Sequence, residues 1–247
     1  MNVNLKISAP RNIDVSTAFK NIDNWVFDLD NTLYPADSDL WPQIDHQITL
    51  YVMNLLGVDG LSARALQKYY YQLYGTTLHG LMSENSIDPH AFLKFAHDID
   101  RSHLQPDHAL SAAIGQLTGR KFILTNGSQA HAKATAEKLG LLHHFDSIYD
   151  IVSGNYIPKP DAKTYQRFFN ENDIDPTKSV MFEDLEKNLK PAHEFGMVTV
   201  LVVPKSGHED HREDWEKVIE NPAHVDFIID DLAVFLRKIV ANEPIKA

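Results

Sequence analysis

Short runs of apolar residues recur along the chain, and each run ends in polar residues, as buried β-strands do. The runs span residues 25–27, 121–124, 147–152, 179–182, 198–203 and 227–229. Segments with helical spacing follow several of them, at 130–139, 162–170, 186–195 and 232–240. Because strands alternate with helices, we predict parallel strands joined by right-handed crossovers. The pattern therefore predicts an α/β fold with a doubly wound parallel sheet, which binds ligands beyond the carboxyl ends of its strands.

A different pattern covers residues 36–104, where no convincing strand is found. Helical stretches at 41–55, 62–74 and 90–100 are separated there by glycine and proline residues, which end helices. Since this region directly follows the first predicted strand, we expect a helical subdomain over the site. The predicted organisation is an N-terminal extension at 1–21, an α/β core at 22–35 and 105–247, and a helical cap at 36–104.

A tyrosine cluster in the predicted cap has two interpretations, helix packing or a wall for a substrate. It consists of Tyr69, Tyr70, Tyr71 and Tyr74. Consecutive residues cannot all face one side of a helix, so only some of these rings can serve either purpose. Helix packing is the interpretation that we favour.

Composition narrows the class of ligand. The chain has 247 residues, 43% of them hydrophobic, which is enough for a core domain with a smaller insert. Its formal net charge of −11 argues against binding a nucleic acid polymer, because such proteins usually present a basic face. The chain has no cysteine, which excludes disulfides, thiolate nucleophiles and cysteine-bound zinc.

Nothing in the sequence indicates a membrane partner. No apolar run reaches the roughly 18 residues that a membrane-spanning helix needs. Residues 1–20 lack the apolar segment of a secretory signal, so we expect a cytoplasmic protein that acts on a small molecule. No apolar stripe is clear enough to indicate the oligomeric state.

Polar residues that can carry chemistry lie at or just after the ends of four predicted strands. In chain order they are Asp28 and Asp30, Thr125-Asn126-Gly127, Lys159, and Glu183-Asp184 followed by Asn188. The carboxyl ends of parallel strands share one edge of a sheet, so residues that are distant in sequence can converge there.

The carboxylates in this set predict a Mg²⁺ site. Asp28, Asp30 and Asp184 offer the hard oxygen ligands that suit Mg²⁺. This ion is usually held by one or two carboxylates together with waters and substrate phosphate. A phosphorylated substrate is therefore the expected partner of the metal.

The remaining residues predict a phosphate site. Lys159 supplies a positive charge for a phosphoryl oxygen. Thr125 and the backbone amides of Asn126 and Gly127 offer hydrogen bonds to the other oxygens. Together with a metal ion, these groups can stabilise the charge on a phosphoryl group in transfer.

Asp28 and Asp30 have separate predicted roles in that transfer. Asp28 would attack phosphorus and form an aspartyl-phosphate. Asp30 would protonate the leaving alcohol and then activate water for hydrolysis of the intermediate. An alcohol that leaves at neutral pH needs that proton, so Asp30 makes an ordinary phosphate ester a plausible substrate.

These motifs resemble those of the haloacid dehalogenase-like hydrolase superfamily. The string from Phe27 to Pro35 resembles its first motif, Thr125-Asn126-Gly127 its second, Lys159-Pro160 its third and Phe182-Glu183-Asp184 its fourth. The four motifs occur in order across residues 24–203. Within the superfamily, the sequence of the first motif, around Asp28, is most similar to that of the pyrimidine 5'-nucleotidase branch.

The resemblance implies a Mg²⁺-dependent phosphomonoesterase, with a pyrimidine nucleoside 5'-monophosphate as the favoured substrate. It implies a metal held by Asp28, the main-chain carbonyl of Asp30, and Asp184. Some relatives have a further aspartate in the fourth motif, so Glu183 or Asn188 would take any such role here.

Alternative functions remain open at this point. A sugar phosphate or phosphoglycolate could replace the nucleotide. A hydrolytic dehalogenase is a second possibility, although the acid at Asp30 argues against it. A protein that binds a phosphorylated metabolite without turnover is a third, but it would not need the whole set of charged residues.

Each site residue also has an ordinary structural interpretation, such as a turn residue for Asp30, a helix cap for Thr125 or a solvated charge for Lys159. We favour the functional interpretation, because all of these would otherwise have to hold at once in four ordered motifs. The run Gly207-His208-Glu209-Asp210-His211 lacks the spacing of a zinc-binding helix, and we interpret it as a solvated loop.

Overall fold

The computed structural model describes residues 15–208, 210–217 and 222–243. A short helix, α1 (Val15–Ala18), precedes the sheet. The ring of Phe19 then packs against those of Trp25 and Phe235. The end of the predicted N-terminal extension thus contributes to the apolar core, while residues 1–14 lie outside the described residues.

The described residues form one sheet of six parallel strands in the order β3-β2-β1-β4-β5-β6. The strands are β1 (Asn24–Phe27), β2 (Arg120–Leu124), β3 (Ser147–Tyr149), β4 (Ser179–Glu183), β5 (Val198–Val202) and β6 (Phe227–Ile229). In the centre, Phe27 pairs with Ile123 of β2 and with Phe182 of β4. The predicted α/β fold with a doubly wound sheet is confirmed. The strand order reverses direction at β1, so a binding crevice is expected beyond its carboxyl end.

Four helices follow β1 and pack around an apolar cluster of their own, and we refer to them as the cap helices. They are α2 (Leu40–Leu56), α3 (Gly60–Tyr74), α4 (Thr77–Asn85) and α5 (Pro89–Ala96). Val52, Ala63, Leu81 and Phe92, one from each helix, are buried together there. The division into core and cap remains a prediction.

The sequence pattern misses α4 and overextends α5. α4 contains Gly80, where an added Cβ would lie 2.5 Å from the Tyr70 ring, so close helix packing rather than amphipathic spacing selects the residue. α5 ends at Ala96 because the next residues bind α2 instead. The side chain of Gln47 donates to the Asp98 carbonyl, and the Asp100 N–H donates to Gln43.

The remaining helices cover both faces of the sheet. One face is covered by α6 (His108–Gly115), α7 (Gln129–Lys138) and α10 (Leu232–Ala241), and the other by α8 (Ala162–Asn172) and α9 (Glu186–Glu194). The side chains of β1 alternate between the faces, with Trp25 and Phe27 on the first and Val26 on the second. Phe27 stacks on Phe182 at a ring-centroid distance of 4.8 Å.

Two further elements differ from the prediction. α6 is not predicted by the sequence pattern, and the third strand ends at Tyr149 instead of residue 152. The chain turns at Asp150, whose carboxylate accepts hydrogen bonds from the backbone N–H groups of Gln129 and Ser153. Ile151 is apolar because it packs into the cluster of the cap helices and not into the sheet.

None of the helices among the described residues is long and apolar enough to cross a membrane.

Candidate active site

The carboxyl ends of β1, β2 and β4 bring the predicted site residues to one edge of the sheet. Asp28 directly follows β1, and its backbone N–H donates to the Phe182 carbonyl of β4 over 2.9 Å. Thr125 directly follows β2, and Asp184 directly follows β4. Since β1 lies between the other two strands, these side chains surround a single crevice.

Lys159 lies at the centre of this edge with 1% of its surface exposed. Its Nζ donates to Asp28 Oδ1 over 2.6 Å, to Glu183 Oε2 over 2.7 Å and to the Leu124 carbonyl over 2.8 Å. The Asn126 side chain fixes the Lys159 backbone, accepting from its N–H over 2.8 Å and donating to its carbonyl over 3.2 Å. The ammonium is therefore held rigidly against two carboxylates.

The carboxylates outnumber the cations around Lys159. Burial and the charge of Glu183 raise the pKa of Asp28 to about 8, although Lys159 opposes the rise. Burial, with the charges of Glu183 and Asp28, also raises the pKa of Asp184 well above its usual range. This cluster therefore lacks positive charge, and a divalent cation is the group that would supply it.

The donor set fits such a cation. Oxygen atoms of Asp28, Glu183 and Asp184 all lie within 4.8 Å of one another. Asn188, on the first turns of α9, has a buried Oδ1 without a hydrogen-bond partner among the described residues, and so does Asn31. All of these are hard oxygen ligands, the type that Mg²⁺ prefers. Glu183 joins the cluster in space, but Lys159 already binds one of its oxygens.

Asp30 has its own pair of hydrogen-bond donors. Tyr34 donates to Asp30 Oδ1 over 2.6 Å, and His131 Nε2 lies 2.8 Å from the same oxygen. Burial would raise the pKa of Asp30, but His131 and Tyr34 outweigh it and hold this pKa at about 2. The Asp30 side chain is therefore an anion at neutral pH in this arrangement.

His131 is itself held in place from the cap side. Arg101 Nη2 lies 2.7 Å from His131 Nδ1, which makes Nδ1 the acceptor and Nε2–H the donor toward Asp30. The His97 ring stacks on His131 at a centroid distance of 4.4 Å and contacts Ser128 through Nδ1. Burial lowers the pKa of His97 to about 3, so His97 is neutral.

The loop after β2 differs in detail from the sequence expectation. The Gly127 N–H donates to Thr125 Oγ1 over 2.9 Å, so this amide is already used within the loop. The Asn126 side chain binds the Lys159 backbone. Thr125 does not cap α7, because Ser128 does so by accepting from the His131 N–H.

The crevice continues as a cavity of about 160 Å³ between the sheet edge and the cap helices. Its cap side is partly aromatic and apolar, with Trp41, Ile44, Ile48 and Phe92 among the lining residues. Asp28, Asp30 and Lys159 lie at its base. Asp45, Gln67 and Lys68 also line the cap side, so the cavity has a mixed apolar and polar cap side and a strongly charged base.

Polar contacts join α3 to the core beside this cavity. The Tyr71 hydroxyl donates to Glu216 over 2.5 Å, and Lys187 Nζ donates to both, over 2.7 Å in each case. Lys68 forms an ion pair with Glu213 at 2.5 Å. Of the tyrosine cluster, Tyr71 lines the cavity, whereas Tyr70 is buried in the apolar cluster of the cap helices.

Sequence reasoning missed Tyr34, His131 and Arg101 as neighbours of Asp30. Tyr34 lies only four residues after Asp30 in the chain, which is a usable signal, whereas nothing in the sequence connects residue 101 with the site. The predicted solvated loop at 207–211 is described apart from residue 209, and its His208 contacts Asp37 on the surface.

Comparison with known proteins gives a consistent result. The family model for haloacid dehalogenase-like hydrolases matches residues 22–196. "Phosphate metabolism protein 8" of Saccharomyces cerevisiae is 28% identical over 235 residues, which cover 88% of this chain and 70% of that protein.

Solved structures share the fold. A HAD phosphatase from Thermococcus onnurineus is similar with a TM-score of 0.58 and 18% identity, covering 91% of this chain and 100% of that one. The L-2-haloacid dehalogenase of Xanthobacter autotrophicus with chloropropionic acid covalently bound is similar with a TM-score of 0.52 and 16% identity, covering 88% and 98%. At these identities the likeness extends to the fold alone.

Proposed function

The chain belongs to the haloacid dehalogenase-like hydrolase family, and from that premise we propose that it is a Mg²⁺-dependent phosphomonoesterase of small molecules. The observation that carries the proposal is the buried contact of Lys159 with Asp28. A second carboxylate, Asp30, follows Asp28 by two residues. This combines a nucleophile, a fixed cation for a phosphoryl oxygen and an acid/base group in one crevice.

In the proposed site, Mg²⁺ would be held by the carboxylates of Asp28 and Asp184 and by the main-chain carbonyl of Asp30. Asn188 Oδ1 would bind the ion or one of its waters, which gives a partner to an otherwise unpaired buried oxygen. When bound, the ion supplies positive charge that stabilises the phosphoryl oxygens.

Asp28 begins the proposed reaction. One of its carboxylate oxygens forms a bond to phosphorus as the bond between phosphorus and the leaving oxygen breaks. Lys159, 2.6 Å from Asp28, would hold a phosphoryl oxygen, together with Thr125 and the Asn126 N–H. In the second step a water attacks phosphorus, which releases inorganic phosphate and restores the Asp28 carboxylate.

Asp30 moves the protons in both steps. It would give a proton to the leaving oxygen first and take one from the attacking water afterwards. With a pKa of about 2, Asp30 suits the second role as it stands. For the first role it must bind a proton, and the negative charge of a substrate phosphoryl group beside it would raise its pKa in that direction.

The favoured substrate is a pyrimidine nucleoside 5'-monophosphate. The small cavity with its aromatic wall at Trp41 and Phe92 supports a flat, partly apolar leaving group above the charged floor. The sequence of the first motif also supports a pyrimidine nucleotide as the substrate. A sugar phosphate or phosphoglycolate is the alternative substrate, since either carries the same phosphoryl group.

The dehalogenase and the non-catalytic alternatives are less well supported. A halide leaves without a proton, so a dehalogenase has no use for the acid at Asp30 or for its contacts with Tyr34 and His131. A protein that only binds a phosphorylated metabolite would not need a carboxylate pressed against the phosphate-binding lysine.

The test is a phosphate-release screen across nucleoside monophosphates, sugar phosphates and phosphoglycolate, with Mg²⁺ and with a chelator. We expect Mg²⁺-dependent release, fastest on a pyrimidine nucleotide, and loss of release in Asp28→Asn. The matched control is Asp23→Asn, which changes a 67% exposed carboxylate near the opposite end of β1. Chloride release without Mg²⁺ would establish the dehalogenase instead, and an inert protein would exclude the enzyme.

A further inference from the structure

Arg212 lies in the segment between β5 and β6, and neither the sequence motifs nor the proposed reaction use it. Only 9% of its side chain is exposed. It lines the same cavity as Asp28, Asp184 and Lys187. Because buried charged groups are normally paired, a buried arginine beside this cavity is expected to have hydrogen-bond partners for all of its N–H groups.

Asp210 holds the guanidinium in one orientation. Arg212 Nε donates to Asp210 Oδ1 over 2.9 Å, and Nη2 donates to Oδ2 over 2.7 Å. The backbone N–H of Arg212 also donates to Asp210 Oδ1, over 3.1 Å. This two-point contact fixes the plane of the guanidinium and leaves Nη1 pointing away from Asp210.

Nη1 is buried and has no hydrogen-bond partner among the residues that the structure describes. An unpaired charged donor is unfavourable in a buried place, and proteins rarely leave one without a purpose. Since the side chain lines the cavity, a ligand oxygen is the acceptor that would satisfy it. Nη1 has no contact with solvent in this arrangement, so the side chains around it would have to move for it to meet that oxygen.

The surrounding charges indicate which kind of oxygen. Asp210 already balances the charge of Arg212, and nearby Glu213 and Glu216 are paired with Lys68 and Lys187. The charge of Asp184 also acts on Arg212. A further anion would therefore be attracted only weakly to Arg212, whereas an uncharged acceptor needs only the unpaired Nη1–H.

We infer that Arg212 binds the leaving group of the substrate, with Nη1 donating to an uncharged oxygen, a hydroxyl or a carbonyl. This inference rests on the proposed function and narrows it to substrates whose leaving group is polar and uncharged. A nucleoside has both kinds of oxygen, the sugar part of a sugar phosphate has hydroxyls, and phosphoglycolate presents a carboxylate. Lys159 and not Arg212 serves the phosphoryl group.

The test compares Arg212→Met with the wild-type protein on uridine 5'-monophosphate, ribose 5-phosphate and phenyl phosphate, all with Mg²⁺. Phenyl phosphate has no hydroxyl or carbonyl on its leaving group. We expect the ratio of kcat/KM for the nucleotide to that for phenyl phosphate to fall about tenfold or more. The matched control is Arg167→Met on α8, where a 42% exposed arginine contacts only Glu171 among the ion pairs of the described chain.

The substrate arms separate the two sources of the oxygen. A fall on both the nucleotide and ribose 5-phosphate assigns a hydroxyl, and a fall on the nucleotide alone assigns a base carbonyl; either supports the inference. An equal loss on all three substrates would show that Arg212 only supports the fold or the phosphoryl site. An unchanged ratio would also overturn it.

A binding measurement keeps this test separate from the proposed function. Uridine 5'-monophosphate is titrated with Mg²⁺ into two variants in a calorimeter, a measurement that needs no turnover. One variant is Asp28→Asn, and the other combines Asp28→Asn with Arg212→Met. We expect about tenfold weaker binding in the double variant. Equal binding would overturn the role of Arg212, even if phosphate release by the wild-type protein supports the phosphatase.

Discussion

The Lys159 ammonium donates to the Asp28 carboxylate over 2.6 Å, and the two side chains are only 1% and 8% exposed. Such a pair is stable only with good geometry and with partners for its other atoms, which Glu183 and the Leu124 carbonyl provide. The same geometry holds a cation beside the proposed nucleophile, so stability and activity depend on one contact.

Replacing Lys159 with methionine removes the ammonium that contacts Asp28, the only such contact among the described residues. We expect kcat to fall by about 10²–10³-fold, because a fixed charge on the phosphoryl group is lost. We also expect the metal-free protein to lose about 3–5 kcal/mol of unfolding free energy, as the buried carboxylates lose their partner. Initial rates and urea unfolding measure the two effects.

The matched control for this variant is Lys163→Met, which changes an exposed lysine four residues away on α8. It should behave like the wild-type protein in both measurements. Wild-type rates in Lys159→Met would contradict the role given to this residue.

Stability of the metal-free protein should depend on pH through Asp28. Its pKa is about 8 in the folded protein against an ordinary value of 3.8, so the folded state binds the proton more tightly. The resulting stability is fully present below pH 3.8 and is lost as pH rises through about 8. Between pH 5 and pH 8 this contribution therefore declines when a chelator is present.

Magnesium should reverse that decline, because a metal ion binds the ionised carboxylates and competes with protons. We expect a larger rise in Tm on adding Mg²⁺ at pH 8 than at pH 6, measured by thermal unfolding against a chelator. Asp28→Asn should show a much smaller rise at both values. A Tm that does not change on adding Mg²⁺ at pH 8 would contradict a metal site at Asp28.

Asp30→Asn should slow the release of poor leaving groups the most. An alkyl leaving group needs a proton that asparagine cannot give, whereas p-nitrophenolate leaves without one. We expect a loss of about 10²–10⁴-fold on an alkyl phosphate and a clearly smaller loss on p-nitrophenyl phosphate. The first turnover must be measured, by rapid mixing, because the second step also uses Asp30.

Asp39→Asn controls for the removal of a carboxylate close in sequence, since Asp39 is exposed and makes no capping hydrogen bond. If Asp30→Asn slows the first turnover of both substrates equally, Asp30 is not the proton donor.

Tyr71→Phe should weaken substrate binding more than turnover. The change keeps the ring over Lys187, 4.1 Å from its centroid, but removes the hydroxyl that bonds Glu216 and Lys187. We expect KM to rise by about two- to tenfold, the size of one net hydrogen bond, as α3 holds the core less tightly. Steady-state kinetics on the best substrate measure this. The control is Tyr69→Phe, which should leave KM unchanged because Tyr69 is 49% exposed. Equal KM values in the two variants would contradict the role given to Tyr71.

Much of the fold was predictable because the periodicity of apolar residues reports burial directly. All six strands were predicted, and the helices at the sheet faces were predicted except α6. The errors arose where apolar residues serve a different partner, as at Ile151, which packs against the cap helices. The short helix α4 was missed because its spacing reflects contact with Tyr70 and not an amphipathic face.

The candidate site was predictable to the extent that strand ends converge. Asp28, Lys159 and Asp184 could be placed together from the parallel topology alone. The contacts that set the state of Asp30 could not, because His131 reaches it from α7 and is itself held by Arg101 from the segment after α5. Arg212 was equally hidden, since its segment has no motif and its burial depends on the tertiary fold.

The most direct test of the account is to find the residue that carries the phosphoryl group during turnover. The enzyme is mixed with Mg²⁺ and its best substrate, quenched in acid within the first turnover and reduced with borohydride, which converts an aspartyl-phosphate to homoserine. Peptide mass spectrometry should then find homoserine at position 28. Homoserine at another aspartate, or none in an enzyme that is releasing phosphate, would contradict the role of Asp28.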